Sequence, residues 1–151
     1  MRAEILLVED HPGDVRLARE ALRDAKIDND LHVVSDGVEA LAFLRRQGRY
    51  ADAVRPDLVL LDLNLPRKNG REVLEEMKRD PLLSSIPVVV VTASSAELDA
   101  CRALELGTVG YMTKPIDFRQ LAAVVRSVSE LWIAIVRLER PTIPERLPVG
   151  A

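Results

Sequence analysis

The chain has 151 residues, 48% of them apolar and 30% charged, which fits one folded globular domain rather than a disordered chain. A net charge of −3 argues against a nucleic-acid-binding surface, and the single cysteine, Cys101, excludes an internal disulfide and a cysteine metal cluster. No apolar run approaches ~20 residues and a strand-like segment begins at Ala3, so we expect a cytoplasmic protein with no signal peptide and no membrane contact.

Segments typical of strands alternate with segments typical of helices along the chain. Short apolar runs predict strands at 5–8, 31–34, 58–61, 88–91 and 109–112. Apolar residues spaced three and four apart predict a helix after each strand. We expect Gly48 to end the second helix and Gly107 the fourth, and Pro81 cannot continue the third. Asp117, followed three residues later by Gln120, has the pattern of an N-cap for the fifth helix.

This alternation predicts an α/β fold with a parallel sheet covered by helices on both faces. The first, third and fourth strands are the most apolar and belong in the centre, whereas the second and fifth are shorter and more polar. A flavodoxin-like, doubly wound (βα)5 fold with strand order 2-1-3-4-5 follows, and its switch point lies between strands 1 and 3. We expect one domain over residues 3–138, including a long last helix, and a proline-rich tail at 139–151.

Polar residues stand at the ends of four predicted strands, along the edge where such sheets bind ligands. Glu9 and Asp10 follow the first strand, Asp62 closes the third, Thr92 closes the fourth, and Lys114 follows the fifth. Taken singly, each residue has an ordinary explanation as a helix cap or a solvated loop charge. Because all five fall at strand ends, we predict that they meet in one crevice.

This set of side chains suits a divalent cation and a phosphoryl group. The magnesium ion, Mg²⁺, prefers oxygen ligands, so Glu9, Asp10 and Asp62 are candidate ligands, together with a main-chain carbonyl near Asn64. Without metal the three carboxylates repel one another, and at least one of them should have a raised pKa. Asp62 is also a candidate nucleophile, since aspartyl phosphates are established covalent intermediates. The lysine and the threonine would stabilise the transferring group.

These strand-end residues resemble the receiver domain of two-component response regulators. The resemblance rests on the five residues above, the proline after the lysine, and the segments 36–37, 40–41, 62–66 and 69–70. It covers roughly residues 3–128. It implies that Asp62 accepts a phosphoryl group from a sensor histidine kinase, and that Glu9 and Asp10 hold Mg²⁺ with Asp62 and the main-chain carbonyl of Asn64. Thr92 and Lys114 would contact the phosphoryl group.

A narrower resemblance is to the single-domain regulators that are paired with phytochrome-type photoreceptor kinases. It rests on residues 9–14, residues 62–74 and an apolar segment around Trp132. The family resemblance also places Tyr111 at an aromatic switch position, which would respond together with Thr92. The protein would then be a signalling switch rather than an enzyme, with at most self-phosphorylation and self-dephosphorylation activity. With no room for an output domain, it would signal by binding a downstream protein or by passing the phosphoryl group to a phosphotransfer protein.

Three alternative interpretations share parts of this pattern. A flavodoxin has the same fold, but residues 9–14 carry acids that would repel the FMN phosphate. A haloacid-dehalogenase-type phosphatase needs a second acid two residues after its nucleophile, and this chain has Asn64 there. A degenerate receiver, acting as an interaction module without phosphorylation, remains the alternative to a phosphorylated regulator.

The last predicted helix is longer than the sheet beneath it, which predicts a homodimer. A five-stranded sheet covers only about four helical turns, whereas the apolar stripe continues over residues 131–136. An exposed patch centred on Leu131, Trp132 and Ile135 would be of the kind that marks interfaces, and two-fold pairing is the commonest arrangement. The alternatives are that the helix bends back or that the tail covers the patch. The polar face lacks the Lys and Arg richness of membrane-surface helices.

Overall fold

The computed structural model describes residues 3–94, 96, 110–114, 117 and 119–124. Five parallel strands form one sheet in the order β2-β1-β3-β4-β5, which confirms the predicted flavodoxin-like arrangement. The strands are β1 (Ala3–Val8), β2 (Asn29–Val34), β3 (Leu58–Asp62), β4 (Val88–Thr92) and β5 (Gly110–Thr113). The predictions for Cys101, Gly107, the dimer residues Leu131, Trp132 and Ile135, and the tail at 139–151 lie outside the described residues.

The edge strand β2 differs from its prediction. It begins at Asn29 and has six residues, as many as β1, so the prediction of a shorter second strand was wrong. Its first two residues, Asn29 and Asp30, pair with Ala3 and Glu4. Polar residues extend this strand because parallel ladders are made by main-chain groups, which no apolar run reveals. The other edge strand, β5, has four residues and ends at Thr113.

Three helices have both ends within the described residues: α1 (Pro12–Asp24), α2 (Gly37–Leu44) and α3 (Gly70–Arg79). The third ends before Pro81, as predicted. Residues 119–124 are also helical, and the side chain of Asp117 accepts the N–H of Arg119 at 2.7 Å, as expected for an N-cap. Within the described part of the chain, no helix is long and apolar enough to cross a membrane.

The second helix ends earlier than predicted, and Gly48 does not end it. Helix α2 stops at Leu44, and Arg46 adopts the left-handed backbone conformation with φ of 55°. Gly48 instead begins a short 3-10 helix, Gly48–Tyr50. The prediction failed because it assumed that a glycine takes the left-handed position, which is the commoner choice.

Main-chain hydrogen bonds hold this left-handed helix end. The N–H of Arg46 donates to the carbonyl of Phe43 at 3.2 Å, and that of Gln47 donates to the carbonyl of Ala42 at 2.9 Å. These are the paired bonds of a Schellman motif. Lys26, with φ of 58°, ends α1 in the same way. Two long basic side chains therefore stand where glycine is usually found.

The sheet separates two apolar cores, one on each of its faces. The first core packs the sheet against α2 and α3, and the second packs it against α1 and the helix at 119–124. Side chains alternate between the faces along each strand. By this alternation, the face of the second core also carries Glu9, Asp62 and Lys114 at the strand ends. Thr92 lies on the face of the first core. Tyr111 packs against the first core.

Candidate functional site

One cleft of about 550 Å³ opens at the carboxyl edge of the sheet, where β1, β3, β4 and β5 end. All five strand-end residues that the sequence singled out line it: Glu9, Asp10, Asp62, Thr92 and Lys114. Asn64 lines the cleft as well. The structure therefore brings the predicted residues into one place. Apart from Asn64, each of them is far from Asp62 along the chain, and Thr92 is the nearest.

Asp62 is the last residue of β3 and lies buried at the base of the cleft, with 3% of its surface exposed. Both of its carboxylate oxygens are held. The main-chain N–H of Asn64 donates to Oδ1 at 3.0 Å, and the Lys114 ammonium donates to Oδ2 at 3.0 Å. These two contacts fix the direction of the carboxylate.

The loop after Asp62 is rigidly tied to the strand and to the next helix. The N–H of Leu63 donates to the carbonyl of Val91 at 3.2 Å, and the N–H of Gly70 donates to the carbonyl of Leu63 at 3.0 Å. Asn69 and Glu72 then form a capping box at the start of α3. Because hydrogen bonds tie one end of the loop to β4 and the other to the start of α3, both the sheet and α3 fix the position of Asp62.

Glu9 and Asp10 follow β1 and complete an acidic group with Asp62. One oxygen from each of the three carboxylates lies within 4.8 Å of the others. Glu9 is buried and accepts the N–H of His11 at 3.1 Å, whereas Asp10 is exposed. Burial raises the pKa of the Glu9 carboxyl, and the charge of Asp62 adds to the rise, while Lys114 and the His11 N–H oppose it. The predicted raised pKa is therefore found at Glu9, and burial is its main cause.

Lys114 supplies the positive charge of the cleft. Its ammonium lies 2.7 Å from Glu9 Oε1, 2.8 Å from Asp14 Oδ2 and 3.0 Å from Asp62 Oδ2. Burial disfavours the ammonium, but the hydrogen bonds to these three carboxylates outweigh burial and raise the pKa of Lys114. Lys114 therefore stays protonated and neutralises part of the acidic group.

Thr92 ends β4 beside Lys114 and is 1% exposed. Its hydroxyl oxygen accepts the N–H of Ser94 at 3.1 Å, and its carbonyl accepts the N–H of Lys114 at 2.8 Å. Thr92 thus links the loop after β4 to the end of β5. The predicted switch partner Tyr111 is half-buried on β5, opposite Val90 in the parallel register.

Asp14 is a charged cleft residue that the sequence analysis did not predict as part of the site. It lies in the first turn of α1, and its carboxylate reaches Lys114 across the cleft. A signal was present, because the helix begins only four residues after β1 ends, which keeps its first turn close to the sheet edge. The strand-end pattern alone does not include residues on a following helix.

The cleft fits a hard divalent cation. Its acidic group offers carboxylate oxygens, and such cations prefer oxygen ligands. The buried position of two of these carboxylates, Glu9 and Asp62, gives bound positive charge a large electrostatic benefit. The nearby Lys114 ammonium and Thr92 hydroxyl are suited to an anionic group placed beside the metal.

The chain is similar to known proteins over most of its length. A family model described as the response regulator receiver domain matches residues 5–126. The response regulator Rcp1 of Synechocystis sp. is 46% identical over 134 residues, which cover 89% of this chain and 91% of Rcp1. The crystal structure of the phosphorylated cyanobacterial phytochrome response regulator RcpA is 46% identical, with a TM-score of 0.73 over 89% of this chain and 96% of that chain. The Mn²⁺-bound form of Rcp1 is 46% identical, with a TM-score of 0.71 over 86% of this chain and 94% of that chain.

Proposed function

Because the chain belongs to the response regulator receiver domain family, we propose that it is a signalling switch that accepts a phosphoryl group on Asp62. The observation that carries this proposal is the setting of the Asp62 carboxylate. It is buried, it is hydrogen-bonded by Lys114, and it lies beside two further carboxylates in an open cleft. The presence of the full set of acceptor residues favours this function over a degenerate receiver that acts without phosphorylation.

In the proposed transfer, an oxygen of Asp62 attacks the phosphorus of a phosphohistidine. An O–P bond forms, the P–N bond of the donor breaks, and its electron pair leaves with the histidine ring. The Lys114 ammonium then neutralises the added negative charge, since it already lies 3.0 Å from Asp62 Oδ2. Thr92 donates its hydroxyl hydrogen to a phosphoryl oxygen. Beyond self-phosphorylation and self-dephosphorylation at Asp62, we propose no enzymatic reaction.

We propose Mg²⁺ as the cofactor, held by Glu9, Asp10, Asp62 and the main-chain carbonyl of Asn64. When bound, a divalent cation neutralises charge on the transferring phosphoryl group. Two observations support a divalent cation here: the acidic group of the cleft, and the existence of a Mn²⁺-bound form of the relative Rcp1. The choice of Mg²⁺ rests on its preference for carboxylate and carbonyl oxygens.

Labelling by a small phosphodonor tests the acceptor. With acetyl phosphate and Mg²⁺, the parent should gain the mass of one phosphoryl group, and hydroxylamine should remove it. Asp62→Asn should gain none, because the nucleophile is gone. Asp52→Asn is the matched control, since it makes the same change at an exposed residue in the segment that leads into β3, at the opposite end of that strand. Equal labelling of the parent and Asp62→Asn would overturn the assignment.

We propose that the phosphoryl donor is a sensor histidine kinase of the phytochrome type, acting in the cytoplasm. Similarity to the phytochrome response regulator RcpA supports this choice. The phosphorylated protein would then bind a downstream protein target or pass its phosphoryl group to a phosphotransfer protein. Transfer rates from a panel of phosphorylated histidine kinases test the proposal, and a preference for kinases without a phytochrome photosensor would contradict it.

We also propose that the receiver domain spans residues 3–138 ahead of the tail at 139–151, and that its last helix forms a homodimer through Leu131, Trp132 and Ile135. The apolar stripe in the sequence supports this proposal. Light scattering should report a dimer at micromolar concentration, and Trp132→Glu should give a monomer. A parent that is monomeric both with and without phosphorylation would contradict the proposal.

A further inference from the structure

The Asp14 side chain contacts the Lys114 ammonium, although Asp14 does not belong to the acidic group of Glu9, Asp10 and Asp62. Its Oδ2 lies 2.8 Å from the Lys114 ammonium and 3.6 Å from Nδ1 of His11. The side chain of Asp14 is 22% exposed, compared with 3% for that of Glu9, so it stands at the rim of the cleft rather than at its base. Asp14 is also not one of the carboxylates whose oxygens cluster within 4.8 Å.

Lys114 contacts two of the three carboxylates that could hold a metal ion. It contacts Oε1 of Glu9 and Oδ2 of Asp62, and both residues belong to the acidic group. A divalent cation bound by the same carboxylates would repel the ammonium, because the two positive charges would lie only a few ångströms apart. We therefore expect metal binding to move Lys114 out of at least part of this contact.

We propose that Asp14 is a positioning residue for the metal site, because it holds the Lys114 ammonium at the rim of the cleft while the metal ion takes the oxygens of Glu9 and Asp62. This inference rests on the metal site of the proposed function. Among the described residues, Glu9 and Asp62 are the other carboxylates in contact with Lys114. Without Asp14, the Lys114 ammonium would be left with the carboxylates of Glu9 and Asp62 as partners, and it would compete with the metal ion for them.

The same contact keeps Lys114 available for the phosphoryl group. An ammonium that left the cleft on metal binding would have to return and be desolvated again before it neutralised the phosphoryl oxygens. An ion pair with Asp14 keeps it within one side-chain movement of Asp62. Asp14 itself contacts neither the phosphoryl group nor the metal ion in this scheme, and it acts through Lys114.

Calorimetric titration with Mg²⁺, without any phosphodonor, tests this role. Asp14→Asn should weaken Mg²⁺ binding roughly threefold to tenfold, the effect expected for a partly buried ion pair. Asp24→Asn is the matched control, because it makes the same change on the same helix, about 15 Å further along its axis. It should leave the dissociation constant at the parent value, and Asp14→Glu should restore most of the affinity.

A double-mutant cycle separates the positioning role from the loss of a nearby negative charge. If Asp14 acts through Lys114, Asp14→Asn should have little effect on Mg²⁺ affinity in a Lys114→Met background. An equal loss of affinity in both backgrounds, or no loss in the parent background, would overturn the inference. If the parent itself binds no Mg²⁺, the proposed metal site is wrong and the inference fails with it.

A second measurement does not depend on the folding of Lys114→Met. In the Mg²⁺-loaded parent, the ammonium of Lys114 should give a distinct NMR signal because it is held by Asp14. This signal should be lost by exchange with water in Mg²⁺-loaded Asp14→Asn and kept in Asp24→Asn. An ammonium signal that survives in Asp14→Asn would show that other groups hold Lys114, which would also overturn the inference.

Discussion

Gly70 begins α3 directly against the main-chain oxygen of Asp62. A Cβ atom at position 70 would overlap that oxygen and would lie 2.7 Å from the Cα of Leu63. The neighbouring atoms are main-chain atoms, which cannot turn aside as a flexible side chain can. The start of α3 therefore lies so close to the main chain of the proposed phosphoacceptor that position 70 has no room for a Cβ atom.

Gly70→Ala should lower the free energy of unfolding by about 1–3 kcal/mol, as overpacking does in a closely packed interior. It should also slow phosphorylation by acetyl phosphate, because the main chain at Asp62 must shift. Gly13→Ala is the control, since a Cβ there meets only the side chain of His11, at 3.1 Å, and alanine favours the helix. Urea unfolding and labelling rates measure both effects. If Gly70→Ala and Gly13→Ala had the same stability and the same labelling rate, the main chain around Asp62 would accommodate the added Cβ atom without cost.

Thr92→Ala should still accept a phosphoryl group but should lose most of the conformational response around Tyr111. The hydroxyl of Thr92 supplies the differential contact with the phosphoryl group that a population shift requires. Thr92→Ser keeps the hydroxyl and should keep the response. Amide chemical-shift changes around Tyr111 on phosphorylation measure it. If all three proteins respond equally, Thr92 does not couple the site to Tyr111.

Replacing either of the left-handed basic residues that end α1 and α2 by glycine should stabilise the protein. Lys26 and Arg46 have φ of 58° and 55°, a conformation that side chains other than glycine disfavour by about 1–2 kcal/mol. Part of this gain is offset because glycine makes the unfolded chain more flexible. We expect Lys26→Gly and Arg46→Gly each to raise the free energy of unfolding by about 0.5–1 kcal/mol. Lys26→Ala and Arg46→Ala keep the strained backbone and should not raise the free energy of unfolding. If alanine and glycine raised it equally, the effect would come from removal of the long side chain rather than from relief of backbone strain.

Stability should fall with decreasing pH through Glu39. The hydroxyl of Tyr50 donates to the Glu39 carboxylate at 2.6 Å and Arg49 pairs with it, so the pKa of Glu39 is lowered below its ordinary value of 4.5. A lowered pKa in the folded state stabilises the protein above the unfolded pKa, and this contribution disappears as pH falls through the folded pKa. Glu39→Gln should therefore be less stable than the parent at pH 7.

The difference in stability between the parent and Glu39→Gln should shrink as the pH falls below 4.5. Tyr50→Phe keeps the ring beside Phe43, 5.4 Å between centroids, but removes the hydroxyl that contributes most to the shift. It should reduce the pH-dependent part of the difference without removing it, because Arg49 remains. Urea unfolding at several pH values measures these differences. A difference that stays constant across this range would assign the effect to packing rather than to charge.

The sequence predicted the central architecture because two of its features are strong. Up to their polar last residues, strands β3 and β4 are continuous apolar runs, which are typical of a parallel sheet covered on both faces. Strand-end residues such as Asp62 and Lys114 then share one edge by topology alone. Their convergence on one cleft needed no knowledge of side-chain packing.

Other features depend on contacts that no local pattern shows. The start of β2 at Asn29 follows from main-chain pairing with β1, and the left-handed turn at Arg46 is held by hydrogen bonds that close the helix. Asp14 enters the cleft because of the rotation of α1 about its axis, which is set by packing in the second core. The start of β2 and the position of Asp14 are consequences of tertiary structure, whereas the turn at Arg46 is closed by local main-chain bonds that the residue type does not reveal.

Four consecutive valines of β4 have different neighbours although they look alike in the sequence. Val88 and Val90 belong to the first core, on the face of Thr92 and Tyr111, whereas Val89 and Val91 belong to the second, on the face of Asp62 and Lys114. Under the proposed function, β4 would separate the face that carries the phosphoacceptor Asp62 from the face on which Tyr111 responds. We expect Val89→Ala to remove packing on the Asp62 face and Val90→Ala to remove packing on the Tyr111 face. The same substitution at two adjacent positions would then affect phosphorylation and the conformational response separately.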